Sequence, residues 1–264
     1  MRGLHSVAMG TAAALVCLFL TISSVSAETR LLEKDTKLHP QGWSVGEFVE
    51  FKSNTPVTLN EWGEVVTGTL DKDAFLTPRG WKRIINDYYF VTAFSDMRPW
   101  FCRYSLPVID RNYDIAIPGY GHVLYKGGTV VTFAVEGEVL RGTLKEKATI
   151  RLMEGSYGFI TAKGGTVLAF YPSGALLSAV LEEDTHLRPV GWKQHFTGGD
   201  TAGFIKFSKG KTVTFNESGD VLSGTLKEKT LLPVEGATST VFTGGTVVYF
   251  SGAGNASAEQ PKTE

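Results

Sequence analysis

The sequence predicts an all-β protein, a repeat-built antiparallel hairpin array, and three observations carry that prediction. One strand-turn-strand pattern recurs around Gly63 (NEWGEVVTGTL), Gly137 (AVEGEVLRGTL), Gly174 (YPSGALLSAVL) and Gly219 (NESGDVLSGTL). Glycine is abundant, at 30 residues against 10 prolines, which suits a turn-rich chain. Long runs of good helix formers are missing beyond the N-terminal thirty residues. A parallel β-solenoid and a small propeller are the alternatives. The hairpin turns and the unequal repeat lengths favour the antiparallel array.

The chain opens on a processing signal. Arg2 supplies a positive start, Val7 to Ile22 an apolar run, and Val25-Ser26-Ala27 a small-residue cleavage pattern, so residues 1–27 read as a signal peptide. The apolar run is shorter than the roughly 20 residues of a spanning helix, so no retained membrane span is expected. Export to the periplasm, cell envelope or extracellular space follows. Cleavage removes Cys17 and leaves Cys102 as the only cysteine, without an intrachain disulfide. The formal net charge of −1, with no basic stripe, gives no footprint for nucleic acid.

Residues 28–251 read as the repeat domain. The turn glycines lie 74, 37 and 45 residues apart, and the doubled first interval suggests that a unit between Gly63 and Gly137 has degenerated or been replaced. A second signature follows the return strands: DTKLHPQGW ending at Trp43, DAFLTPRGW at Trp81 and DTHLRPVGW at Trp192. Its proline and glycine suit a β-turn with proline second and glycine fourth. Leu31 to Trp43 and Val241 to Phe250 look like half-units that cap the two ends.

Alternation assigns the faces. Val57, Val131, Leu168, Val213 and Val248 point inward with Leu59, Phe133, Phe170, Phe215 and Phe250. Thr58, Thr132, Ala169, Thr214 and Tyr249 lie between them and point outward. In the return strand, Val66, Leu140, Leu177 and Leu222 are expected inward with Leu70, Leu144, Leu181 and Leu226. The inward position between them is Gly68, Gly142, Ala179 or Gly224. Glycine in a strand costs roughly 0.5–1 kcal/mol relative to alanine, so a large group should cover it, and the phenylalanine of the opposing strand is the expected cover. A β-bulge at the glycine is the alternative. The loop Asn216-Glu217-Ser218-Gly219 should be a type I turn closed by a left-handed glycine.

The pattern φ-x-F-x-x-x-G-x-V-x-x-G-T-L resembles the β-hairpin repeats of the MORN family and of secreted bacterial proteins with similar repeats. The resemblance covers most of the mature chain. It implies an elongated twisted antiparallel meander that acts as a scaffold or binding surface, and it brings no catalytic residues.

Residues 82–126 break the pattern and hold the candidate binding residues Trp100, Arg98, Arg103, Tyr104, Tyr88 and Tyr113. Aromatic faces beside Arg and Asp tips suit a protein or cell-wall glycan partner. The alternative is a diverged repeat whose aromatics fill the core. Trp43, Trp81 and Trp192 either form an exposed ladder or staple each turn to the next strand. Asp35, Asp73 and Asp184 read as turn-forming or solvated aspartates in preference to a cation site. No HExxH or G-x-S-x-G element is present, so no catalytic residue, metal site or cofactor is assigned. The expected function is an exported, non-enzymatic repeat protein presenting a surface. A glycan-processing enzyme and a self-assembling structural protein are the alternatives. Residues 252–264, small and polar, read as a disordered tail.

Overall fold

The computed structural model describes residues 28–79, 116–117, 120–121, 123–152, 159–196 and 203–258. Residues 1–27, expected to be a signal peptide, and the end of the chain from residue 259 lie outside them.

The chain begins with β1 (Glu28–Leu31) and then builds five units. The first holds β2 (Thr36–Leu38), β3 (Val49–Phe51), β4 (Pro56–Leu59) and β5 (Val65–Thr69). The second holds β6 (Ala74–Leu76), a two-residue pair β7 (Ala116–Ile117) and β8 (Tyr120–Gly121), then β9 (Val123–Tyr125), β10 (Val130–Phe133) and β11 (Val139–Thr143). The third holds β12 (Ala148–Arg151), β13 (Phe159–Ala162), β14 (Val167–Phe170) and β15 (Leu176–Val180). The fourth holds β16 (Thr185–Leu187), a one-turn helix α1 (Trp192–His195), β17 (Ile205–Phe207), β18 (Thr212–Phe215) and β19 (Val221–Thr225). The fifth holds β20 (Thr230–Val234), β21 (Ala237–Phe242), β22 (Val247–Phe250) and β23 (Ala256–Ser257).

Each unit splits between two layers. Its last two strands form a hairpin, and the five hairpins with β1 make one open antiparallel sheet of eleven strands in the order β1-β4-β5-β10-β11-β14-β15-β18-β19-β22-β23. Its first strand pairs with the strand before the hairpin as a two-stranded ribbon: β2–β3, β6–β9, β12–β13, β16–β17 and β20–β21. One antiparallel bridge ties each of four ribbons to its sheet strand, at Phe51–Leu70, Tyr125–Leu144, Ala162–Leu181 and Phe207–Leu226. The core lies between sheet and ribbons. Val57, Val131, Leu168, Val213 and Val248 are buried in it, with Phe133, Phe170 and Phe215.

The ribbon strands β3, β9, β13, β17 and β21, which the sequence pattern does not predict, change the count of units. β5 pairs directly with β10, in the same register that joins later units, so no unit is missing between Gly63 and Gly137. The doubled interval comes from a long connection, residues 77–122, between the two strands of one ribbon. Val123 to Lys126, expected as part of the insertion, are β9 and the turn after it.

The hairpin turns form as expected. The Gly219 N–H donates to the Asn216 carbonyl at 3.0 Å, Asn216 N–H donates to the Asp220 carbonyl at 2.9 Å, and Gly219 has φ 86°. The return strands depart from strict alternation. A register shift lies beside Phe133, Phe215 and Leu59, where three return-strand residues span two on the partner. The bulged residues are Val66, Leu140 and Leu222, and the side chains delivered to the core are Val65, Val139 and Val221. Leu176 replaces Leu177 in the third unit for the same reason. A bulge reverses the facing of whatever precedes it, which strict period-two reading cannot show. The bulge is therefore two residues before the glycine, not at it.

The glycine beyond the bulge is covered, but from the other layer. A Cβ on Gly224 would lie 2.6 Å from the Phe207 ring, on Gly68 2.6 Å from Phe51, and on Gly142 2.6 Å from Tyr125. Where the third unit has Ala179, the ribbon residue seventeen positions earlier is Ala162, and both are buried. The equivalent position on β1, which has no ribbon above it, is the exposed Arg30, opposite Val57. Glycine thus occurs only where an aromatic lies on it.

Both chain ends differ from simple half-units. β1 takes the place of a return strand before the first complete unit, and the fifth hairpin is closed by β23, which pairs Ala256 with Phe250 and Ser257 with Tyr249. The stretch expected as a tail thus contributes a strand through Ser257. Ala256 is buried, which gives the small residues of this stretch a place in the core.

Gly224→Ala should lower stability by about 1–3 kcal/mol through overpacking. Phe207→Ala should cost about 3–5 kcal/mol. The double variant copies Ala162/Ala179, so urea unfolding should find it less destabilised than the sum of the two; additive losses would contradict the contact.

Candidate functional site

The second signature builds the turn end of the sheet. The first, second and fourth units cross their own hairpin there: Pro40 bridges Val65, Pro78 bridges Val139 and Pro189 bridges Val221, each in parallel. The Val65 N–H donates to the His39 carbonyl at 2.8 Å and its carbonyl accepts from the Gln41 N–H at 3.0 Å, so the strap satisfies polar groups beside the bulge. The strap then turns. Trp43 N–H donates to the Pro40 carbonyl and Trp192 N–H to that of Pro189, with Gly42 and Gly191 at φ 75° and 72°. Proline is thus the first turn residue and glycine the third, where a left-handed residue is required, in place of the expected second and fourth.

Beyond the turn each strap docks on the next hairpin. Gln41 Nε2 donates to the Phe133 carbonyl at 2.6 Å and Trp43 Nε1 to the Gly137 carbonyl at 2.7 Å. Trp43 also meets Phe133 edge to face, at 6.2 Å between centroids. A Cβ on Gly42 would strike the Val135 carbonyl, so only glycine lets the two backbones meet. In the fourth unit Gly191 lies against Gly254, and His195 Nε2 is 2.6 Å from the Ala253 carbonyl oxygen. Trp192 is buried, with the Arg188 guanidinium 3.9 Å from its ring centroid and 4.4 Å from that of Phe204. Trp43 and Trp192 are therefore staples, not an exposed ladder; Trp81 lies outside the described residues. Among the described residues of the third unit no proline bridges the hairpin, and Tyr171 Oη donates to the Phe215 carbonyl at 2.8 Å, the counterpart of the Phe133 oxygen.

The straps are matched by acids. Arg79 Nη1 lies 2.6 Å from Glu138 and 2.7 Å from Glu136, and Nε donates to the Pro172 carbonyl at 2.6 Å. Burial opposes its charge, but hydrogen bonds to Glu138 and Glu136 outweigh that and hold its pKa above the usual value. Glu64 and Asp220 stand at the same place after the turn glycine as Glu138, and His39 Nε2 is 3.8 Å from Glu64. Burial is the main cause that raises the Asp220 pKa, against the hydrogen bond from Asn216 and the charges of Lys193 and Arg188. Unit three has Ala175 there, buried.

The recurrent aspartates form no turns of their own; each accepts from a backbone N–H in the turn between the second ribbon strand and the hairpin. Asp35 accepts from Ser53 N–H at 2.7 Å, Asp73 from Gly127 N–H at 2.7 Å and Asp184 from Lys209 N–H at 2.8 Å. These backbone bonds are the main reason that all three carboxyls titrate below their usual value. Among the described residues no group of three His, Cys, Asp or Glu could hold a metal ion, and no described helix is long and apolar enough to cross a membrane.

The sequence-predicted binding residues Trp100, Arg98, Arg103, Tyr104, Tyr88 and Tyr113 lie outside the described residues, as does Cys102. Their place in the chain is nevertheless framed. They belong to the connection 77–122, whose ends are held together by Leu76 pairing with Val123 and whose first residues are pinned by Arg79. The other units join their ribbon strands by residues 39–48, 152–158, 188–204 and 235–236. No protein-family model, curated protein or solved structure matches the chain, so the likeness to MORN-type repeats rests on residue pattern alone.

Arg79→Ala leaves Glu138 without its cation and should cost about 1.5–3 kcal/mol. Adding Glu138→Ala, the residue type of unit three, should restore part of that in thermal unfolding. The aspartates predict an acid limb: a lowered folded pKa gives stability that is complete above the unfolded value of 3.8 and is lost as pH falls through the folded values. Melting curves between pH 6 and 2.5 should be flatter for D35N/D73N/D184N than for the wild type.

Proposed function

We propose that this is an exported, non-enzymatic repeat protein that presents a binding surface in the cell envelope or outside the cell, and that the connection 77–122 is its contact region for a protein or cell-wall glycan. The observation that carries this reading is where length varies. Sheet strands, turns and ribbon strands repeat in every unit, while the connection within the ribbon ranges from two residues at 235–236 to the whole of 77–122. A rigid scaffold with variation confined to one set of loops is the usual arrangement of binding proteins. The long connection is also where nine aromatic residues stand among arginines and aspartates, between Tyr88 and Tyr120. The signal-like residues 1–27 support export. The ionisable groups named above, Asp35, Asp73, Asp184, Arg79 and Glu138, are engaged in turns and straps, which favours a scaffold over an enzyme.

The test follows from the pairing of Leu76 with Val123. Because those strands are adjacent, residues 82–115 can be replaced by a short Gly-rich linker without removing β9. The deletion protein should melt near the wild-type temperature and lose retention on isolated cell-wall sacculi and on immobilised envelope proteins. Retention undiminished in a folded deletion protein would exclude the connection as the contact region. Within it, W100A/Y104A should weaken retention at least ten-fold if these rings are anchors.

A further inference from the structure

The sheet face turned away from the ribbons is almost free of charge. The registers carry one row of side chains across all eleven strands, running through Thr29, Thr58, Thr132, Thr214, Ser223 and Ser257. Arg141 is the single charged residue in it. The row two residues along each strand consists of Thr, Val, Leu and Pro, and Val130, Val167 and Val247 there are 56%, 39% and 44% exposed.

Strand propensity accounts for threonine and valine but not for the missing charges. A fifth of this chain is charged, and open sheets in soluble proteins normally place lysine and glutamate where water reaches them. Here the charges stand at the strand ends instead: Glu64, Glu138 and Asp220 beside the turns, and Asp71, Lys145 and Lys227 at the other end. The hydroxyls are held in place by one another, with Thr29–Thr58 at 3.1 Å, Thr67–Thr132 at 3.3 Å and Thr214–Ser223 at 2.7 Å. Each hydroxyl so engaged keeps further acceptor capacity toward solvent.

At about 4.8 Å per strand the rows run about 48 Å, and two rows about 7 Å apart make a strip about 12 Å wide with its side chains. That is the footprint of one extended polymer chain laid across the strands. We infer that this strip binds an uncharged linear polysaccharide, whose hydroxyls meet the threonine and serine row and whose ring C–H faces meet the valine and threonine methyls. Lack of charge excludes an anionic polymer, for which Arg141 would be the only partner. A second copy is disfavoured by size: two such strips face to face would bury about 1,200 Å², the lower bound for a stable pair. Tyr249 would be the one aromatic anchor.

The strip is made of sheet residues and includes none of residues 77–122, so the two tests are separable. Native gels containing hydroxyethylcellulose, glucomannan or dextran should retard the wild-type protein, and gels containing alginate should not. V130E/V247E, at exposed positions, should bind the retarding polymer at least ten-fold more weakly, and T132A/T214A should show a smaller loss in the same direction; circular dichroism and melting curves check that both are folded. The protein lacking residues 82–115 should be retarded like the wild type. No retardation by any of the three neutral polymers, equal retardation by alginate, or unchanged retardation of both strip variants would overturn the inference. A concentration-dependent dimer in light scattering that V130E/V247E abolishes would overturn it in favour of a second copy.

Discussion

The structure depends on one close contact, the ribbon aromatic lying on a sheet glycine seventeen residues later. Phe51 on Gly68, Tyr125 on Gly142 and Phe207 on Gly224 leave no room for a Cβ. That contact brings ribbon and sheet together and so encloses the valines, leucines and phenylalanines between them. Burying one such side chain is worth roughly 1.5–3 kcal/mol, whereas a cross-strand hydroxyl pair on the open face is worth roughly 0.2–1 kcal/mol. The inner face therefore drives folding, and the outer face is left to other demands. Tyr125 shows the strictness of the site from the other side. Its hydroxyl is buried with no hydrogen-bond partner, where the first and fourth units use phenylalanine.

The straps add order between units, where the core contact acts within one. Each begins on its own hairpin beside the bulge and ends on the turn of the next, through Gln41 and Trp43, Arg79, or Gly191 and His195. Acids after the turn glycine accompany the straps, and in the third unit Ala175 stands at the acid's position and Tyr171 reaches the neighbouring carbonyl. Chain length outside this skeleton is spent almost entirely in the ribbon connections, which separates what holds the molecule together from what distinguishes one unit from another.

Much of the sheet was legible because its hairpins repeat closely and their turns demand glycine. The inward Val213 and Phe215 and the left-handed Gly219 follow from residues next to one another in the chain, as does the need for a cover over Gly224, although that cover is Phe207 of the ribbon and not the expected Phe215. Three features did not. The bulge at Val66, Leu140 and Leu222 reverses facing by inserting a residue that looks like part of a regular alternation. The ribbon strand, V-E-F at Val49 to Phe51 and V-L-Y at Val123 to Tyr125, is too short to stand out, although its recurrence just before each K-x-x-T turn was a usable signal. The strap's partner lies in the following unit, so neither Trp43 against Gly137 nor Arg79 against Glu138 could be read locally. The candidate residues around Trp100 rest on composition, since nothing in the repeats has their counterpart.

The central claim, that the first, second and fourth units are each closed by a ribbon aromatic on a distant sheet glycine, is tested most directly by nuclear Overhauser contacts from glycine Hα protons. Gly68 should show strong contacts to the Phe51 ring, Gly142 to Tyr125 and Gly224 to Phe207, and Ala179 should show none to any aromatic. Contacts from Gly224 to Phe215 of its own hairpin, with none to Phe207, would contradict the two-layer account.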